Sequence, residues 1–186
     1  MSTATEISLL PEVAEFLSRG PLRAIIGGKH VESSNGEVFE TVDPGTGQAL
    51  TSVCAMQADD VDRAVRAAAE AYERAEWARI PTNERGVLLL RLADQVERRK
   101  KIIGQIEALD CGKLSRQAED DVQDFADTLR YYVQMAGHFH RRTALAVPRF
   151  EAWSVRQPWG ACGFIFPWNF PILLFGWGTA PALAAG

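Results

Sequence analysis

The sequence predicts an α/β fold, and three observations carry the prediction. Short β-prone runs broken by turn residues extend from Leu22 to Cys54, and helical apolar stripes extend from Asp59 to His138. A closing strand, loop and helix then fill Gly160 to Gly186. Hairpins, then helices, then a strand feeding a helix is the order of a layered α/β architecture rather than of a bundle or a sandwich.

The elements follow in chain order. Leu9, Val13, Phe16 and Leu17 recur at helical spacing, and Gly20-Pro21 stops the pattern. Gly27-Gly28 lies between two apolar runs. Asp43-Pro44-Gly45-Thr46-Gly47 separates Val38–Val42 from Leu50–Cys54, so both stretches read as hairpins. From Asp59, the residues Val61, Ala64, Val65, Ala68 and Tyr72 share a helix face, with Asp59 and Asp62 as an acidic N-cap and first turn. After Pro81-Thr82, Leu88, Leu89, Leu92 and Val96 form the next apolar stripe. The basic run Arg98–Lys101 suits a helix C-terminus and a solvated face. Ile102, Ile103, Ile106 and Leu109 form a shorter stripe ended by Gly112. A long helix from Ser115 to His138 then aligns Ala118, Val122, Phe125, Leu129, Tyr132, Val133 and Ala136. Ala144–Val147 and Glu151–Gln157, with Trp153, Val155 and Gln157 on one side, predict a β arm before the closing unit.

Composition narrows the function. With 47% hydrophobic and 24% charged residues the 186-residue chain can bury a core, and a formal net charge of -4 offers nucleic acid no basic face. Residues Met1–Gly20 carry Glu6, Glu12 and Glu15 and do not read as a signal peptide. The apolar stretch Phe164–Ala185 is interrupted by Pro167, Asn169, Pro171 and Pro181, which argues against a membrane span. Cys54, Cys111 and Cys162 are scattered and odd in number, which favours reduced thiols and a cytoplasmic setting. Cys162, between Ala161 and Gly163, reads as a buried inert thiol. His138 and His140 point about 200° apart on a helix, so no metal site is expected.

The loop Pro167-Trp168-Asn169-Phe170-Pro171 stands where a strand ends and a helix begins, the position at which open α/β sheets bind ligands. An amide between prolines and aromatic rings is a candidate hydrogen-bond donor to a developing oxyanion. It is equally a candidate cap for the helix that follows. Phe170, Leu173, Leu174 and Trp177 recur at i, i+3, i+4 and i+7 and line one face of that helix, as core residues or as the wall of a site.

Taken together, Gly27-Gly28, the Asp43–Gly47 turn, Trp77 with Pro81 and Arg85, Glu107 through Lys113, Pro167–Pro171 and Ala180–Gly186 resemble, in the same order, the N-terminal part of the NAD(P)-dependent aldehyde dehydrogenases. The resemblance spans Leu22 to Gly186. It implies hairpins, a helical layer, a β oligomerisation arm and the first βα unit of a Rossmann-like cofactor-binding domain. The corresponding division is 1–140 for hairpins and helices, 141–158 for the arm, and 159–186 for the first strand, loop and helix.

In that family a thiolate attacks an aldehyde, and the oxyanion of the thiohemiacetal is stabilised before hydride passes to the nicotinamide; the net reaction oxidises the aldehyde to a carboxylic acid. The resemblance assigns Asn169 as the oxyanion donor. It assigns Ile165, Phe166, Pro167 and Trp168 to the cofactor, NAD or NADP with NAD favoured, and Phe170, Leu173, Leu174 and Trp177 to the substrate tunnel. The family's nucleophilic Cys and general-base Glu match no residue here, so the isolated chain is expected to be inactive, and a homo-oligomer is expected of the full-length parent. The alternative is a non-catalytic relative whose β arm serves as an interaction or oligomerisation module.

Overall fold

The computed structural model describes residues 8–74, 77, 79–139 and 141–186. It opens with α1 (Pro11–Ser18), where Pro11 takes the first helical turn, the one place a missing N–H costs nothing. Val13 is fully buried, and Gln105 accepts the Leu10 N–H at 2.8 Å, tying α1 to a distant helix.

Hairpin β1 (Ala24–Ile26) to β2 (Lys29–Val31) turns through Gly27 and Gly28, both at positive φ, as a two-residue turn matching strand twist requires. A second hairpin joins β3 (Val38–Val42) to β4 (Ala49–Cys54). Its connection is held by Asp43, whose carboxylate accepts from the Gly45 N–H at 2.7 Å and the Thr46 hydroxyl at 2.9 Å.

The helix α2 (Ala58–Glu73) corrects the sequence reading at its start. Gln57 is the N-cap, and Asp60, three residues on, reaches back to accept the Gln57 N–H at 2.9 Å. Asp59 and Asp62 are exposed instead. Asp60 also accepts from the N–H and hydroxyl of Ser34 and pairs with Arg63, so it fastens the β2–β3 connection to α2. These hydrogen bonds, led by that from Gln57, hold its pKa down from 3.8 to about 2. A depressed carboxylate pKa stabilises the fold above its ordinary value and ceases to do so as pH falls through the folded one. Asp60→Asn is therefore expected to lower the urea midpoint near neutral pH, with the gap to wild type closing between pH 3.8 and about 2. A gap independent of pH would refute this.

Four helices form the body: α3 (Thr82–Arg98), α4 (Lys100–Cys111), α5 (Ser115–His138) and α6 (Pro171–Ala185). Leu89, Ala93 and Val96 of α3 meet Val122, Phe125, Ala126 and Leu129 of α5, and Ala180 and Ala184 of α6 close the same core. Helices α5 and α6 approach closely at Gly176, where a Cβ would lie 2.4 Å from the Phe125 ring. On α3 the buried stripe is Arg85, Gly86, Leu89, Ala93 and Val96, whereas the expected Leu88 and Leu92 are exposed. The run from Val87 to Leu90 is apolar on every side, so periodicity alone did not select the inward face. The expected Val61, Val65 and Tyr72 stripe of α2 is likewise exposed, with Asp60, Ala64 and Ala67 turned inward.

The strands β5 (Arg142–Val147) and β6 (Phe150–Val155) pair antiparallel about a Pro148-Arg149 turn. Trp153 lies under the Arg142 guanidinium at 3.8 Å, and almost the whole hairpin is exposed. Gln157 lies beyond its last strand. Among the described residues the strands form three separate two-stranded sheets. The segment Gly160–Phe166, expected as a strand, is unpaired. Its apolar character favours a sheet interior, but a ladder needs a neighbour, and no described strand lies beside it. Cys162 is consequently exposed rather than buried.

Candidate active site

The loop Pro167–Pro171 connects the unpaired segment to α6. Pro171 is the first residue of α6, and its N-cap residue, Phe170, makes no side-chain capping hydrogen bond. The capping role open to Asn169 is therefore not used, and its side chain is exposed.

Ahead of it, Phe164 and Phe166 stack at 5.6 Å, as residues two apart on extended chain do. Phe166 packs back on Phe175 and over Gly178 of α6. Ile165, between the two rings, is 100% exposed, and Trp168 is 86% exposed. Among the described residues no backbone–backbone hydrogen bond ties down 161–167. The result is a bare apolar ledge whose backbone polar groups are free to meet a ligand.

On α6, Leu173 and Leu174 are half-buried, while Phe170 and Trp177 are exposed. Trp177 borders an open cavity of about 540 Å³ with Thr128, Tyr131 and Tyr132 of α5. Phe166, Ile172 and Phe175 line a second open cavity of about 520 Å³ with Phe16, Leu50 and Ile106.

The far end of α6 is clamped by two residues of one motif. Trp77 Nε1 donates to the Leu183 carbonyl at 3.0 Å, and Arg85 Nη2 donates to the Ala184 carbonyl at 3.1 Å. Both satisfy carbonyls that the last turn of a helix leaves without partners.

Beneath the loop lies the turn from α4 to α5, where Gly112 stops α4 in the left-handed region. Lys113 Nζ donates to Glu107 Oε1 and Asp121 Oδ2, each at 2.6 Å, and all three side chains are about nine-tenths buried or more. Burial opposes the Lys113 charge, but the hydrogen bonds to Asp121 and Glu107 outweigh it and raise its pKa. Burial pushes the Glu107 carboxyl up against the pull of Lys113 and of the Ile172 N–H at the start of α6. The same ammonium sits 4.4 Å from the centre of the Phe170 ring. Burial, with Asp110 and Glu107 nearby, lifts the Cys111 thiol to about 11, so it stays protonated and donates to the Trp168 carbonyl at 3.2 Å.

Sequence reasoning missed this cluster. The spacing from Glu107 to Lys113 pointed to a motif, but Asp121 lies about two turns into the next helix. Of the histidines, His138 is exposed at the end of α5, and His140 lies outside the described residues. Among the described residues no helix is long and apolar enough to cross a membrane.

The model of the aldehyde dehydrogenase family matches residues 30–186. The chain belongs to the aldehyde dehydrogenase family. It is 37% identical over 163 residues to the mitochondrial aldehyde dehydrogenase family 2 member B4 of Arabidopsis thaliana, covering 87% of this chain and 30% of that protein. It is 37% identical over 182 residues to retinal dehydrogenase 2 of Gallus gallus, covering 97% of this chain and 35% of the relative. Among solved structures, the NAD+ complex of the Bacillus cereus aldehyde dehydrogenase superposes with a TM-score of 0.92 at 35% identity, over 97% of this chain and 37% of that one. The chain thus spans about a third of the length of the family members it matches. The small sheets and helical body are those of the N-terminal part of this fold.

Proposed function

We propose that this chain supplies the oxyanion donor and one wall of the cofactor and substrate sites of an enzyme that oxidises an aldehyde to a carboxylic acid with NAD(P)+. The observation that carries the reading is Asn169: an amide exposed between two prolines, at the start of a helix it does not cap. A side chain left without a structural duty, on a loop that two prolines stiffen, suits such a donor.

The cofactor, when bound, supplies the hydride acceptor. Ile165, Phe166, Pro167 and Trp168 fit such a group, because the unpaired backbone of 165–167 and the exposed Ile165 and Trp168 side chains suit a planar ring joined to a polar tail. NAD is favoured, since the Bacillus cereus relative was solved with NAD+. Phe170, Leu173, Leu174 and Trp177 form the tunnel wall, and their apolar, aromatic character suits hydrophobic aldehydes. Residues 1–140 and 159–186 belong to the cofactor-binding part. Residues 141–158 form an arm through which copies of the parent enzyme pair, a role favoured by the exposure of β5 and β6. Neither nucleic acid nor membrane is a partner. Three unpaired thiols favour the cytoplasm.

The test compares an enzyme containing these residues with the purified 186-residue polypeptide. Aldehyde-dependent reduction of NAD+ is expected of the first and absent from the second, which holds no residue matching the nucleophile. No reduction by the longer enzyme across aliphatic and aromatic aldehydes would overturn the assignment, and turnover by the short polypeptide would overturn its inactivity.

A further inference from the structure

We propose that Lys113 and Cys111 are positioning residues for Asn169, fastening the peptide on both sides of it to the α4–α5 turn. The inference rests on the oxyanion reading of Asn169.

Two contacts make the case. On the N-terminal side of Asn169, the Cys111 thiol donates to the carbonyl of Trp168 at 3.2 Å. On the C-terminal side, the Lys113 ammonium lies 4.4 Å from the centre of the Phe170 ring. The residue between is thus bracketed by a hydrogen bond to its preceding peptide and a cation–π contact to its following side chain. Neither contact reaches Asn169 itself, so both act on its direction alone.

The anchor is rigid because Lys113 cannot swing. Its stem is buried and its ammonium is shared by Glu107 on α4 and Asp121 on α5, each at 2.6 Å. The ion cluster therefore joins two helices before it touches the loop. Leaving two buried carboxylates opposite one ammonium is a poor way to gain stability alone. It is an effective way to fix a cation at one point under a ring. Trp168 is otherwise bare to solvent, so without these contacts the loop would depend on its two prolines for its shape.

The experiment is a set of double-mutant cycles in the active enzyme that contains these residues, with folding verified by thermal melting. Lys113→Met is expected to lower kcat about 10- to 100-fold at little change in aldehyde KM, the scale on which small misplacements of a catalytic group act. Cys111→Ala is expected to lower it less, in the same pattern. Combined with Asn169→Ala, neither substitution is expected to lower kcat further, because groups that act as one unit are not additive. Equal factors with and without Asn169, or an unchanged kcat in the folded single variants, would overturn the positioning role while leaving Asn169 as donor. If Asn169→Ala itself leaves kcat unchanged, the oxyanion reading falls and this role with it. Where Lys113→Met does not fold, the Cys111→Ala cycle decides alone.

Discussion

Asn169→Ala is expected to lower kcat of the active enzyme by about 10²–10³, the loss that follows removal of one oxyanion donor. Cofactor affinity should change little, because the ledge proposed to meet the cofactor is formed by Ile165 to Trp168 and not by the amide. The two effects separate on physical grounds. A donor aimed at charge that exists only in the transition state adds nothing to ground-state binding, so its removal appears in kcat and not in KM. Asn169→Asp should be at least as damaging, since a carboxylate turns an attractive dipole into a repelling charge at nearly the same volume. Steady-state kinetics with isothermal titration of NAD+ check both points. An unchanged kcat, or a kcat loss matched by an equal loss of cofactor affinity, would remove Asn169 from the oxyanion role. The alternative role, helix capping, predicts a different outcome: lost thermal stability with kcat per folded molecule intact. Phe170 and not Asn169 is the N-cap of α6, so little stability should be lost.

What the sequence disclosed depended on the range of the interaction behind each feature. The long helix Ser115–His138 was legible to its ends, because its apolar stripe repeats for more than six turns and local periodicity suffices. Gly27-Gly28 disclosed a hairpin because positive φ at both turn positions is a local demand. The Pro167–Pro171 loop was legible for the same reason: two prolines and an abrupt change of pattern are local signals. Asp60 was not, since its partner Ser34 lies 26 residues earlier and nothing near Asp60 announces it. Lys113 was half legible, with Glu107 inside the motif and Asp121 outside it. Periodicity also failed on α3 and α2, where it identified apolar faces without saying which would be covered. Gly160–Phe166 failed in a further way, because strand identity belongs to a pair of segments and not to one.

The purified 186-residue polypeptide is expected to associate rather than to persist as a monomer. Two surfaces drive this. Ile165 and Trp168 lie almost wholly in water, as does Trp159 at 96% exposure, and Val61 and Val65 add an apolar face on α2. The β5–β6 hairpin, with Phe150 75% exposed, presents unpaired strand edges, a ready template for another chain. A net charge of -4 over 186 residues is too small a repulsion to keep such surfaces apart at micromolar concentration. Light scattering with size-exclusion chromatography should therefore report species larger than 20.5 kDa, and a monodisperse, cooperatively melting monomer would contradict the prediction. The two surfaces can be told apart. Phe150→Glu with Val155→Lys places charge on the hairpin and leaves the ledge intact, so association through strand edges should fall to discrete or monomeric species under this change. Association through the ledge should persist in that variant and yield instead to Ile165→Glu with Trp159→Gln. If the hairpin variant alone restores a monomer, the arm is the stronger adhesive surface, as its proposed role in joining copies of the parent enzyme requires.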